Sequence, residues 1–355
     1  MNLLRMIIIP VLFFNISSTV ANHRNHGIKK MTFKIIVMFL LMYIFSFLWC
    51  MLLWSVIKPG VGFSIIDAPL TKDVIYSSLD EFLISLFPPN IITPILNNNL
   101  LPIIIISFAV GFGLSRTRPY GSKSFNNLNK IVNNVLYYIL YLTPFGVFSL
   151  MYGAVAKYGN KVFSTAVSYV IAAYAGCIVV IIFTMIIPVW VYTKINPIKY
   201  IKKIRKPLYM AFTTCSSSAT VPLTIQTCNE EFNIPYPITN LIIPFGSTMH
   251  MCGCAVSFSL LAVFNMQMLG MPISIGSFLI ILFVALLLTI GAPGISSGGI
   301  IIDATLLSIL GIPISFFGLY AGIYRALDAG YTTVNVLGDI TANILLGYKR
   351  NKKEV

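Results

Sequence analysis

Long apolar runs recur along the chain, at residues 35–57, 100–114, 132–151, 165–192, 255–291 and 305–324. Several reach the roughly 20 residues that a helix needs to cross a bilayer core. Only 10% of the 355 residues are charged, against about 25% in soluble domains. Lipid offers the backbone no hydrogen-bond partners, so segments of this kind cross as helices. The chain therefore reads as an all-α polytopic membrane protein.

The net charge of +14 suggests a polyanion partner until its distribution is followed. Basic residues gather in four short segments between apolar runs. The first holds Arg24, Lys29, Lys30 and Lys34, and the second Arg116, Arg118, Lys123 and Lys130. The third runs from Lys194 through Lys199, Lys202, Lys203 and Arg205 to Lys206; the fourth is Lys349, Arg350, Lys352 and Lys353. These are 18 of the 24 Lys and Arg, and the connections at 58–81 and 154–161 hold only four. Such alternation is the positive-inside pattern, which puts the four segments and the C-terminus in the cytoplasm. The charge orients the protein in a cell membrane and implies no nucleic acid. The opening MNLLRMIIIPVLFF has one arginine and no small-residue cleavage site after it, so it reads as membrane helix rather than signal peptide. The six cysteines lie mostly in apolar segments without the spacing of a disulfide scaffold.

Two segments do not fit uniform spans. Residues 208–228 are interrupted by three serines and a proline, and 286–313 by GAPGISSGG at 291–299. Gly and Pro interrupt a helix, and consecutive serines compete for its backbone bonds. Each segment reads as helix, break, helix, a re-entrant hairpin with its tip at membrane depth. Irregular backbone is tolerated there only where protein covers it or a cavity adjoins it. Paired broken segments point to a transporter's binding site.

After the second break, Asp328, Thr332, Asn335 and Asp339 recur at i, i+4, i+7 and i+11, one helical stripe. A lone Asn or Thr in such a stripe is usually helix–helix glue. Two aspartates beside two broken helices favour a site facing a bundle interior or an aqueous cavity. Between the breaks, TMHMCGC at 248–254 puts His250, Cys252 and Cys254 within five positions. Soft metal ligation is one reading; small packed residues or the altered remains of another polar site are others. In a helix 252 points about 160° away from 250 and 254, so a metal site needs an unwound segment. No nucleophile–base constellation or phosphate loop is present, and no enzyme is expected.

Together these stretches resemble the glutamate/dicarboxylate–cation symporters, the family of the excitatory amino-acid transporters and the archaeal aspartate transporters. The motifs are TTCSSSATVPLT (213–224), PFGSTMHMCGC (244–254), GAPGISSGG (291–299) and LDAGYTTVNVLGD (327–339), extended by 86–115 and LTPFGVFSL at 142–150. The resemblance implies an elevator-type homotrimer with one membrane transporter domain over 1–348 and a basic cytoplasmic tail over 349–355. Its scaffold falls at about 1–18 and 81–153, and its transport part at about 33–57 and 162–346, with hairpins near 206–232 and 274–312. By position 1–18 corresponds to the family's second transmembrane helix. The first is then missing, through a start that lies upstream or through truncation.

The same resemblance assigns residues. Ser216, Ser217 and Ser218 form the first hairpin tip and meet a substrate carboxylate. Gly294, Ile295, Ser296 and Ser297 form the tip of the second, outer gate. Asp328 holds the substrate ammonium, while Tyr331, Thr332, Asn335 and Met251 complete the pocket. Asp339 serves a sodium site with main-chain oxygens of Gly246, His250 and Asn335, and Thr248 joins that cluster. Membrane lipid and a small amino acid or dicarboxylate are the partners. Sodium is the coupling ion, with a proton as alternative, and no covalent cofactor is implied.

Three departures from the family pattern carry consequences. Tyr331 stands where acidic-substrate members have the arginine that grips a distal carboxylate, which a phenol cannot bind bidentately. A neutral polar substrate is then as well supported as an acidic one. Arg325 either reaches the site or plays a structural role such as pairing with Asp328, the role favoured here. His250 and Cys252 replace an asparagine and an aspartate of a further sodium site, and Phe39, Met42 and Tyr43 replace its polar partners. Fewer coupled sodium ions follow, with His250 as a neutral hydrogen-bond donor ahead of a proton carrier. Asp303 in the second hairpin is expected to face the aqueous gate rather than to couple ions. The rival readings are a non-transporting, anion-conducting or regulatory relative, and, more remotely, a metal-ion transporter.

Overall fold

The computed structural model describes residues 2–22, 29–62, 84, 86–97, 99–117, 120–159, 161–290, 292, 294, 296–311 and 317–348. Ile295, Arg24, Arg118, the tail 349–355 and residues 63–81 of the first connection lie outside the described residues.

Among the described residues every regular element is a helix. The first half comprises α1 (Asn2–Asn22), α2 (Lys29–Ile57), α3 (Ile92–Leu96), α4 (Leu100–Leu114), α5 (Tyr120–Tyr141) and α6 (Thr143–Tyr158). Next, α7 (Lys161–Val180) runs through a π-turn at Ile181–Ile186 into α8 (Ile187–Thr193). The turn ends just before Pro188, whose missing N–H leaves the Thr184 carbonyl without its usual helical donor. The second half comprises α9 (Pro197–Thr214), α10 (Ser217–Phe232), α11 (Tyr236–Met249), α12 (Cys252–Met268), α13 (Ile275–Ile290), α14 (Gly299–Ile309) and α15 (Phe317–Gly347).

Phe33–Ile57, Val162–Thr193 and Tyr236–Met268 are long and apolar enough to cross a membrane. Three expected runs are divided by their punctuation. Residues 132–151 break at Leu142 ahead of Pro144, and 255–291 break between α12 and α13, where Gly270 takes φ +67°. The run 305–324 is cut after α14, where Gly311 takes φ +62°. Hydrophobicity runs on across Gly and Pro positions that a helix does not.

Both broken segments occur, and their local chemistry explains them. Asn196 accepts a bond from the Ile198 N–H at 2.9 Å and, with Pro197 in the first turn, starts α9. Cys215 ends α9 in the left-handed region at φ +52°, and Ser216 then caps α10 by accepting from Ala219 N–H at 3.3 Å. The break is narrower than the sequence suggests. Ser217 and Ser218 already belong to α10, and Pro222 lies inside it. The second break, between α13 and α14, contains Ser297 at φ +60°. A third interruption separates α11 from α12, where His250 is extended and Met251 is non-helical.

The core forms around α15, which packs against α2, α6, α7, α9, α10, α11 and α12. Helix α12 is buried around nearly its whole circumference, as an interior helix should be. Trp54 of α2 donates to Ser259 of α12 at 3.0 Å. Separately, α1 packs on α4 and α5. Asn133 donates to Asn15 at 2.8 Å, Ser17 to the Ser107 carbonyl at 2.9 Å, and Ser18 meets Asn126. Such bonds hold helices together where lipid supplies no hydrophobic drive.

Gly253 lets the start of α12 touch α15, since a Cβ there would overlap the Tyr331 carbonyl. A Cβ at Gly113 of α4 would meet nothing within 4 Å. Gly253→Ala should therefore cost about 3 kcal/mol of stability, and Gly113→Ala should be neutral or mildly stabilising. Thermal unfolding of the two purified variants in detergent checks this.

Candidate functional site

Five main-chain groups near the helix breaks are satisfied by partners from elsewhere in the fold. Asn335 accepts the Gly253 N–H at 2.7 Å, capping the orphan first turn of α12 from α15. Asp328 accepts the Ser297 N–H at 2.8 Å in the second break, and Thr332 donates to Asp328 at 3.3 Å. The Gly294 carbonyl accepts from Ser216 Oγ at 2.9 Å and from Ser218 N–H at 3.2 Å, joining the two breaks. Arg325 joins them again, donating to the Thr213 carbonyl at 3.2 Å and to Ser296 Oγ.

These contacts enclose a cavity. Its wall includes Ser217 of α10, Met251 and Gly253 at the α11–α12 interruption, Gly294 of the second break, and Asp328, Tyr331, Thr332 and Asn335 of α15. The four residues of the Asp328–Asp339 stripe are all buried. One polar helix face is thus turned inward, with three broken backbones around its upper half.

Asp339 lies lower on the same stripe. It is 2% exposed, and among the described residues its hydrogen-bond partner is His250 Nδ1 at 3.0 Å. A Cβ on Gly246 would overlap the Asp339 carboxylate, so glycine is what lets that carboxylate reach the last turn of α11. A buried carboxylate is expensive without a compensating cation. The Gly246 carbonyl beside it accepts the His250 N–H at 2.8 Å, which closes the last turn of α11. Buried His250 makes the side-chain hydrogen bond expected of it. Its ring bonds Asp339, stacks on Phe39 at 4.3 Å and 8°, and meets Cys252 Sγ at 3.1 Å.

The structure brings together Ser217, Met251, Gly294, Asp328, Tyr331, Thr332 and Asn335 as the sequence anticipates. Ser216 Oγ and the Ser218 N–H both donate to the Gly294 carbonyl, and neither serine is part of the cavity wall. Ser296 holds Arg325, and Thr248 bonds back to the Phe245 carbonyl at 3.1 Å. The His–Cys–Cys group does not converge, because Cys254 turns to Met251 Sδ at 3.9 Å while Cys252 turns to His250. Among the described residues, no three His, Cys, Asp or Glu side chains are grouped to hold a metal.

Arg325 forms the favoured structural link, though its partners are the two breaks rather than Asp328. Asp303 departs from expectation. It is 1% exposed and faces inward, accepting from Ser257 at 2.9 Å and Tyr320 at 2.5 Å, because α14 turns this face onto α12 and α15. Sequence reasoning missed Ser257 and Tyr324 on the cavity wall. Tyr320 and Tyr324 precede Asp328 by eight and four residues, so extending the stripe by two turns would have found both tyrosines.

A profile of the sodium:dicarboxylate symporter family matches residues 1–348. The chain belongs to that family. A proton/sodium-glutamate symport protein of Geobacillus stearothermophilus is 28% identical over 364 residues, covering 98% of this chain and 85% of that one. A C4-dicarboxylate transport protein of Deinococcus radiodurans is 24% identical over 362 residues, covering 98% and 81%. Neutral amino acid transporter B(0) of Rattus norvegicus is 25% identical over 403 residues, covering 98% and 72%. Sodium:dicarboxylate symporters are membrane transport proteins and not enzymes.

For this symporter, Asp339→Asn preserves shape and removes charge. Sodium should raise the unfolding temperature of the purified wild-type protein relative to choline, as any ligand of the native state does. The variant should lose that sodium-dependent rise. A rise of equal size in the variant would locate the cation elsewhere.

Proposed function

We propose that this symporter carries an amino acid or a dicarboxylate in the cavity between its two breaks, driven by inward movement of sodium. Cation-coupled symport is the activity of the family to which the chain belongs. The observation that carries the assignment is the meeting of Ser217, Gly294 and the Asp328–Asn335 face around one cavity, beside the buried Asp339 carboxylate. Asp328 takes the substrate ammonium, main-chain N–H groups of the breaks take its carboxylate, and Thr332, Asn335 and Met251 complete the pocket. Ile295 and Ser296 belong to the outer tip. Sodium lies at Asp339 with carbonyls of Gly246, His250 and Asn335, and Thr248 nearby. The Geobacillus relative is named for both proton and sodium, which keeps the proton as the alternative coupling ion.

The segments α9–α10 and α13–α14 act as re-entrant hairpins of a mobile transport part at about 33–57 and 162–346. The scaffold at about 1–18 and 81–153 forms a homotrimer, and the C-terminus is cytoplasmic. The packing of α1 on α4 and α5 supports the scaffold part, which meets the transport part where α6 packs on α15 and α1 on α14. A smaller sodium complement is supported by Phe39, His250 and Cys252 packing on one another, the two rings stacked and Cys252 Sγ 3.1 Å from His250 Nε2.

Uptake into proteoliposomes tests the assignment. An inward sodium gradient should drive accumulation of an amino acid or dicarboxylate, and collapsing the gradient should abolish it. Asp328→Asn should lower initial uptake by about 100-fold, as expected when a buried charge partner of roughly 3 kcal/mol is lost. Gradient-independent behaviour with every substrate would favour the non-transporting or anion-conducting reading.

A further inference from the structure

The cavity wall holds a second carboxylate that the assignment above leaves without a task. Asp303 of α14 lines the same cavity as Asp328. One of its oxygens accepts from Ser257 Oγ at 2.9 Å and the other from Tyr320 OH at 2.5 Å. Those two hydroxyls also lie 3.1 Å apart. A carboxylate has about four acceptor positions, so two donors leave Asp303 room for another. Beside it, Tyr331 also lines the cavity, and its buried hydroxyl makes no completed hydrogen bond. The wall therefore offers an acceptor and an unfilled hydroxyl in one place.

Charge sharpens this. Asp303 and Asp328 both line the cavity, with Cys215, Cys254, Tyr324 and Tyr331 as the other titratable groups. Among the described residues no Lys, Arg or His does so. Arg325 is committed outside that wall to Ser296 and the Thr213 carbonyl. With a substrate ammonium on Asp328, the Asp303 carboxyl is left on the wall with acceptor positions and no cation. A side-chain carboxylate brought beside it meets a second set of acceptors, whereas an alcohol or amide brings the donor that this wall can bond.

We propose that Asp303 is a specificity-determining residue of this site, selecting amino acids whose side chain donates a hydrogen bond over those ending in a carboxylate. This rests on the transport reading and narrows its substrate class to hydroxyl- and amide-bearing amino acids. Sites built to bond a polar group reject close analogues lacking it far more strongly than apolar pockets sort by size.

The test is substrate binding to the full purified chain in sodium-containing detergent solution, followed by calorimetry. The pairs are asparagine against aspartate, glutamine against glutamate, and threonine against valine. Wild-type protein should bind the first member of each pair at least tenfold more tightly. Asp303→Asn should move the aspartate-to-asparagine affinity ratio at least tenfold towards the acid, a gain that misfolding cannot imitate. Ser257→Ala should narrow the threonine preference.

Wild-type preference for aspartate or glutamate with sodium dependence would overturn the inference and leave the symport reading intact. An Asp303→Asn variant that shifts stability, or all affinities in common, with an unchanged ratio would make Asp303 purely structural. Sodium-independent behaviour towards every compound would overturn the symport reading itself.

Discussion

Two aspartates buried eleven residues apart on one helix set the terms for the rest of this fold. Asp328 and Asp339 are 7% and 2% exposed on α15, and neither forms an ion pair with Lys or Arg among the described residues. A carboxylate in such surroundings needs donors or a cation, or it is too costly to keep. At Asp328 the donors are Ser297 N–H and Thr332. At Asp339 the partner among the described residues is His250. The helix breaks are the other half of the same arrangement. Continuous helices would have no spare N–H groups to offer at membrane depth, whereas interrupted ones must find partners for theirs.

That complementarity explains why distant segments meet. Asn335 caps α12 across 82 residues of sequence, and Asp328 holds the second break across 31. Each is a polar side chain that satisfies main chain at a break. On the proposed assignment the same side chains touch substrate, which would link binding energetically to the packing of the breaks. Arg325 adds a clasp that bonds both breaks from α15 without joining the cavity wall.

The family, the broken segments and the polar stripe were legible because each is written locally. GAPGISSGG, the serine triplet and the four-residue spacing of Asp328, Thr332, Asn335 and Asp339 act within a turn or two of themselves. Helix ends inside the apolar runs were less legible, since Gly270 and Gly311 interrupt stretches whose hydropathy does not change. Side-chain directions between helices were not legible. Asp303 turns inward and His250 reaches Asp339 through crossings that no periodicity encodes. The bonds from Ser216 Oγ and the Ser218 N–H to the Gly294 carbonyl belong to the same class, since they join segments 76 or more residues apart.

Thermodynamic coupling between cation and substrate tests the central claim most directly. Substrate affinity of the purified protein, measured over a range of sodium concentrations at constant ionic strength, should rise steeply with sodium. Sodium affinity should rise by the same factor when substrate is present, because linkage is reciprocal. That result is predicted if the Asp328 cavity and the Asp339 cluster are one coupled site on α15. Substrate affinity independent of sodium across the whole range would contradict it.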